Sequence, residues 1–201
     1  MSHDKIERNV GLMGVLIAVA IASGGLAEIV PVMKTAEQVT PLSGMKPRTA
    51  LEQAGFDVYI REGCYVCHSQ MVRTLRFETA RYGHFSLAGE SVWDRPFQWG
   101  SKRTGPDLAR VGGRYSDDWH RMHMIDPRSV VPDSNMPAYP WLATTPVNAA
   151  ATTRRLAALR TLGHPYTQED IDGAAAALEG KTELDALVAY MQGLGIHGPR
   201  G

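Results

Sequence analysis

The distribution of apolar positions divides this chain into two unlike parts. From Val10 to Ala27 no charged residue interrupts the sequence, and after Glu28 the apolar run resumes from Ile29 to Met33. Wound as one helix, residues 10–33 would reach about 36 Å, enough to cross a hydrocarbon core of about 30 Å with some tilt. The pattern therefore predicts a single transmembrane helix behind a short polar stretch over residues 1–9. A cleaved signal peptide is the alternative, because Lys5 and Arg8 precede the run and Ala20-Ile21-Ala22 resembles a cleavage site. The run is long for such a peptide and continues past that cut, so a retained anchor is expected. Gly14, Ala18 and Ala22 fall four apart, a small-residue ridge on which another membrane helix could pack. Glu28 stands near the far end, where a carboxylate can reach water or a partner.

After the run the periods are short and helical. Pro41, Gly44 and Pro47 mark residues 34–48 as a linker. Thr49 or its neighbours open a helix in which Leu51, Ala54, Val58 and Tyr59 recur at helical spacing as far as Arg61. Ser116 caps a short helix with Trp119, Met122 or His123, and Ile125 on one side, ended by Asp126-Pro127. Asn148 to Leu162 carries Leu156, Leu159 and Leu162, with Gly163 and Pro165 as stop signals. Thr167 caps a helix through Ala177 and Leu178. Thr182-x-x-Asp185 opens the last helix, with Leu184, Leu187, Val188, Tyr190 and Met191 leading to Gly193. Ser69 to Arg103 has little periodicity, and so long a loop is either functional or disordered. Phe77, Phe85, Trp93 and Trp99 argue against disorder. No segment alternates as a strand would, so the expected class is all-α.

Composition narrows the partners. With 21 basic and 21 acidic residues in 201, no global field points to nucleic acid, and none is expected as a partner. Membrane lipid is expected around the anchor. The length suits one globular domain, residues 49–201, beside that appendage. No P-loop, nucleophile elbow or internal repeat occurs.

The chemistry concentrates in Gly63-Cys64-Tyr65-Val66-Cys67-His68, which holds both cysteines of the chain. Cys-x-x-Cys-His is the attachment pattern for c-type haem. Two thiols form thioethers with the vinyl groups, and the adjacent imidazole takes one axial position on the iron. A redox dithiol, a disulfide, or half a zinc site completed by His120 and His123 are the alternatives. A ligating histidine needs its far nitrogen bonded, commonly to a backbone carbonyl, and Pro106 in Thr104-Gly105-Pro106-Asp107-Leu108 offers one on a stiffened stretch. Met136, in the proline-pinned Ser134-Asn135-Met136-Pro137, is the candidate second axial ligand, since a thioether commonly closes the iron of an electron carrier. Met71 is too close to His68 in sequence, and Met122 and Met124 read as core filling. His84, His120 and His123 leave a bis-histidine iron open as an alternative.

The order of helix, Cys-x-x-Cys-His, Gly-Pro-x-Leu, Met-Pro and closing helix resembles the all-helical cytochrome c fold, with a long insertion between His68 and Pro106. More specifically, the chain resembles the mono-haem cytochrome c subunit of cbb3-type cytochrome c oxidases. The resemblance rests on Ala27 to Pro31, Gly63 to Arg73, Trp99 to Leu108, Val111 to Tyr115 and Asp126 to Leu142. It implies one haem c on Cys64 and Cys67, with His68 and Met136 as axial ligands. It also implies electron transfer from a di-haem cytochrome c subunit to haem b of the catalytic haem-copper subunit, within a proton-pumping complex. Such a subunit needs no acid or base of its own. It further implies a bacterial inner-membrane protein with a cytoplasmic amino terminus and a periplasmic haem domain, and calcium at the interface with the catalytic subunit, near Gly100 or Ser101. Arg73, Arg76, Arg103, Arg110 and Arg114 are candidates to pair with haem propionates or with a partner. A free-standing anchored cytochrome c, and a haem-based gas sensor with an open sixth position, are the competing functions.

Overall fold

In the computed structural model, which describes residues 3–38 and 40–198, the chain divides near Thr40 into two units. The first holds helix α1 (His3–Glu7) and helix α2 (Val10–Gln38). From Val10 to Lys34 α2 is long and apolar enough to cross a membrane. It continues past residue 33, where a linker was expected, because Lys34, Ala36, Glu37 and Gln38 are all good helix formers.

The second unit is built on the crossing of two helices. Helix α3 (Ala50–Arg61) begins at Thr49, whose hydroxyl and the Glu52 carboxylate cap each other's backbone amides. Two shorter helices follow, α4 (Arg76–Tyr82) and α5 (Asp117–Ile125), then the single turn α6 (Pro127–Val130). Helix α7 (Ala149–Thr161) is capped by Asn148. The expected helix from Thr167 breaks into α8 (Gln168–Asp172) and α9 (Ala174–Ala177), interrupted at Gly173, the poorest helix former of that stretch. Helix α10 (Glu183–Gly193) closes the unit from a capping box of Thr182 and Asp185. Among the described residues there is no sheet, only isolated bridges at His68–Arg103 and Pro146–Thr182.

Helices α3 and α10 meet closely. A Cβ on Gly55 would stand 1.9 Å from the Ala186 carbonyl oxygen, so only glycine permits the approach. Phe56 and Tyr59 each pack against Tyr190 at 5.5 Å between ring centres. Leu184, Leu187, Val188 and Met191 complete this core, as the period of α10 predicted. The Arg48 guanidinium lies over the rings of Phe56 and Tyr190, at 4.4 and 5.2 Å, and is neutralised by Asp94. Leu156 and Leu159 of α7 pack with Tyr166, Ile171 and Ala174 in a second cluster, while Leu162, expected inside, is 64% exposed.

Two expectations for the middle of the chain need correction. The segment from Ser69 to Arg103 is not wholly irregular: it contains α4 and a short helical turn over Ala88–Ser91. Helix α5 turns His120 and Met124 inward, not Met122 and Ile125, which are exposed. Tyr139 N–H donates to the Met124 carbonyl at 2.8 Å, tying the next loop to the C-terminal part of α5 and covering that side.

Candidate functional site

Helix α3 ends at Arg61 with Glu62 as its C-cap, and Gly63 then adopts φ 71°, a left-handed conformation that glycine takes without steric cost. That reversal throws Cys64–Val66 into one tight helical turn. His68 N–H donates to the Cys64 carbonyl at 2.9 Å, which brings the histidine back beneath the first cysteine. Tyr59 Oη donates to the His68 carbonyl at 2.8 Å, so α3 also holds the far end of the turn.

The Gly-Pro-Asp-Leu segment is stitched to this turn. Gly105 N–H donates to the Cys67 carbonyl at 3.0 Å, and Leu108 N–H to the Ser69 carbonyl at 2.9 Å. His68 Nδ1 lies 2.7 Å from the Pro106 carbonyl oxygen. A carbonyl can only accept, so Nδ1 carries the proton and Nε2 is left with its lone pair, the form that binds a metal. A Cβ on Gly105 would fall 2.2 Å from His68 Cε1, so the imidazole rests on bare backbone.

Cys64, Cys67, His68, Pro106 and Met136 all line one cavity of about 470 Å³. Its other walls are mainly apolar and include Leu108, Val111, Leu187 and Met191. Both cysteines are free thiols, and burial pushes the Cys64 thiol up to about 11. A thiol that stays protonated at neutral pH is a poor redox nucleophile. Among the described residues no three of His, Cys, Asp and Glu gather as a metal site, which also disfavours zinc. The residues present fit a haem: a mainly apolar cavity, two thiols on one turn, an oriented imidazole and a thioether from another loop.

The structure also sorts the remaining candidates. His84 bonds the Phe85 carbonyl and does not line the cavity, whereas His120 and His123 do. Burial lowers the pKa of both, and for His123 the nearby His68 and His120 lower it further. Gly100 and Ser101 lie elsewhere, in a cleft of about 480 Å³ with Tyr65, Phe97 and Trp99. Of the five arginines, Arg73 and Arg103 converge on Glu78, and Arg110 pairs with Glu90. Arg76 is exposed, and Arg114 lines the cavity. The sequence reading gave Asp107 no role. Its carboxylate accepts from Ser69 Oγ at 2.7 Å, Met71 N–H at 2.9 Å, Ala109 N–H at 2.8 Å and Arg103 at 3.1 Å, and so locks the two halves of the site together. The available signal was an acidic residue set between Pro106 and apolar Leu108-Ala109.

A family model described as cytochrome C oxidase, mono-heme subunit/FixO matches residues 3–184. The chain belongs to this family. The match agrees with the resemblance carried by the cysteine motif and its flanking stretches, and makes the chain a subunit of an oxidase complex that holds one haem and has other subunits as partners. No curated protein matched the chain.

Proposed function

We propose that this mono-haem subunit carries electrons for a cbb3-type haem-copper oxidase. It accepts them from a di-haem cytochrome c subunit and delivers them to haem b of the catalytic subunit, where oxygen is reduced. The observation that carries the reading is the convergence of two free thiols, a tethered imidazole and a thioether on one apolar cavity. The bound haem supplies one-electron exchange between ferric and ferrous iron. Cys64 and Cys67 would hold it covalently through its two vinyl groups, as in a c-type haem. His68 would hold the iron through Nε2 while Pro106 keeps Nδ1 occupied, and Met136 would supply the second ligand. With His68 and Met136 both bound to it, the chain would hold the iron without rearrangement on oxidation, and no residue of this chain would need to move a proton.

Helix α2 is read as a retained single-pass anchor in the bacterial inner membrane, with lipid around it. The amino terminus is cytoplasmic and the haem unit periplasmic, the side on which c-type haem is attached. Gly100 and Ser101 are assigned to the interface with the catalytic subunit, near a calcium ion. Phe97 and Trp99 support an interface there: they stack at 4.7 Å and remain 44% and 48% exposed.

The test is covalent haem staining of the denatured full-length chain with an intact mass. One haem per chain, lost when Cys64 and Cys67 are both changed to Ala, is expected. A colourless polypeptide at the unmodified mass overturns the reading. Carbon monoxide added to the reduced protein should leave its spectrum nearly unchanged, and a large shift would show an open sixth position instead.

A further inference from the structure

The stretch between His68 and Pro106 brings four charged side chains to the backbone that holds the imidazole. Arg103 pairs with His68 in an isolated antiparallel bridge, and Ser69 N–H donates to the Lys102 carbonyl at 3.0 Å. From that position the Arg103 guanidinium donates to Ser69 Oγ, to the Met71 carbonyl at 2.8 Å and to the two oxygens of Glu78 at 2.9 and 3.0 Å. It also reaches Asp107 at 3.1 Å, and Arg73 adds a second pairing to Glu78. The side chains of Glu78 and Asp107 are wholly buried, and that of Arg103 is 17% exposed. Two acids and two arginines leave the cluster neutral, which is what makes its burial tolerable.

The four charges do not stand equally close to the imidazole. Asp107 follows Pro106, whose carbonyl takes the His68 Nδ1 proton, and Asp107 itself lines the cavity. Ser69, the residue after His68, donates to Asp107 and accepts from Arg103. Arg103 also lies 5.4 Å from the ring centre of Tyr82, another wall of the cavity. Glu78 and Arg73 do not line the cavity, and Arg73 is partly open to water. A charge buried beside a redox centre acts on it with little screening, whereas an exposed one is damped by water and salt. We propose that Asp107 and Arg103 set the reduction potential of the haem as an opposed pair. The Asp107 carboxylate stabilises the ferric iron, which carries one more positive charge, and the Arg103 guanidinium stabilises the ferrous iron, with Glu78 holding that guanidinium in place. Neither residue touches the iron: each is a positioning residue that acts through the charge it fixes against the His68 and Pro106 backbone. The inference rests on the reading of a covalent haem ligated by His68 in this cavity.

The test is a potentiometric titration of the full-length holoprotein in detergent, followed by the haem absorption spectrum. Asp107→Asn removes a negative charge at nearly constant shape and should move the equilibrium toward the ferrous state by about tenfold, which for one electron is 59 mV. Arg103→Gln should move it toward the ferric state by a similar factor. Glu78→Gln should follow Asp107→Asn in sign, and Arg73→Gln should follow Arg103→Gln, each by only about threefold because they stand further out. Opposite signs for acids and arginines are what a loosened imidazole cannot produce, since a merely structural loss would move all four variants the same way. If Asp107→Asn or Arg103→Gln fails to accumulate with haem, Glu78→Gln and Arg73→Gln carry the same comparison. Unchanged potentials, or shifts of one sign in acid and arginine variants alike, overturn the proposal while leaving a haem-bearing wild type to uphold the earlier reading. A wild-type chain without covalent haem removes both together.

Discussion

The α3–α10 crossing and the stretch from Ser69 to Asp107 both hold the cysteine turn in place, by opposite physics. At the crossing, Gly55 lets two backbones touch and Phe56, Tyr59 and Tyr190 fill the remaining space. In the other region, Glu78 is fully buried and takes hydrogen bonds from Arg73 and Arg103, while Asp107 gathers Ser69, Met71 and Arg103. The first region is intolerant of added volume and keeps its charges at the edge of the apolar contact, where Arg48 pairs with Asp94 and Arg61 of α3 with Glu183 of α10. The second tolerates irregular backbone but depends on every charge having its partner. The difference follows from what each segment offers: a helix supplies a periodic apolar face, whereas a long loop must satisfy its polar backbone with side chains.

The comparison breaks most visibly at Gly55. Gly55→Leu places a side chain inside the Ala186 carbonyl and should cost more than about 4 kcal/mol, enough to abolish a cooperative thermal transition. A near-normal transition by circular dichroism would mean that the helices can separate freely, against the crossing as described.

Next in size is Glu78→Ala, which takes from Arg73 its carboxylate partner and leaves Arg103 with Asp107 alone, and should cost about 3 kcal/mol in denaturant titrations. The same group gives a pH signature. Hydrogen bonds from Arg103 and then Arg73 hold the Glu78 carboxyl down from 4.5 to about 2. A carboxylate depressed on folding contributes its stability fully above the unfolded value, and that contribution fades as pH falls from about 4.5 toward about 2. Glu78→Gln should flatten that acid limb, whereas Gly55 variants should leave its shape alone. An acid limb identical in Glu78→Gln and wild type would remove the charge network from the account.

The smallest effect belongs to the start of α10. Thr182→Ala removes one half of its capping box and should cost about 1 kcal/mol. A loss several times larger would indicate that Thr182 supports the crossing through contacts other than the cap.

What could be read along the chain was local. The caps at Thr49, Ser116, Asn148 and Thr182 stand where a hydroxyl or amide precedes an apolar period, and the buried face of α10 follows its 3.6-residue repeat. The facing of α5 was not legible, because Trp119 and Ile125 share a side as plausibly as His120 and Met124 do until a neighbour is known. Nor was the helix within Ser69–Arg103: α4 is short and shows no apolar period, and Glu78, the residue that anchors it, looks like an ordinary surface acid.

The amino-acid order by itself determined the apolar span, the turn that carries Cys64, Cys67 and His68, and most helix starts, since each depends on residues within a few positions of one another. Tertiary structure alone decided which acids were buried, which arginines were left for the cavity, and that Met136 and His123 reach the same space as His68. Those outcomes join positions 25 to 122 residues apart, as in Glu78 with Arg103 and Arg61 with Glu183. Pairings at that range are set by how the whole chain closes on its core, because burial rewards a charge only after its partner has been brought beside it.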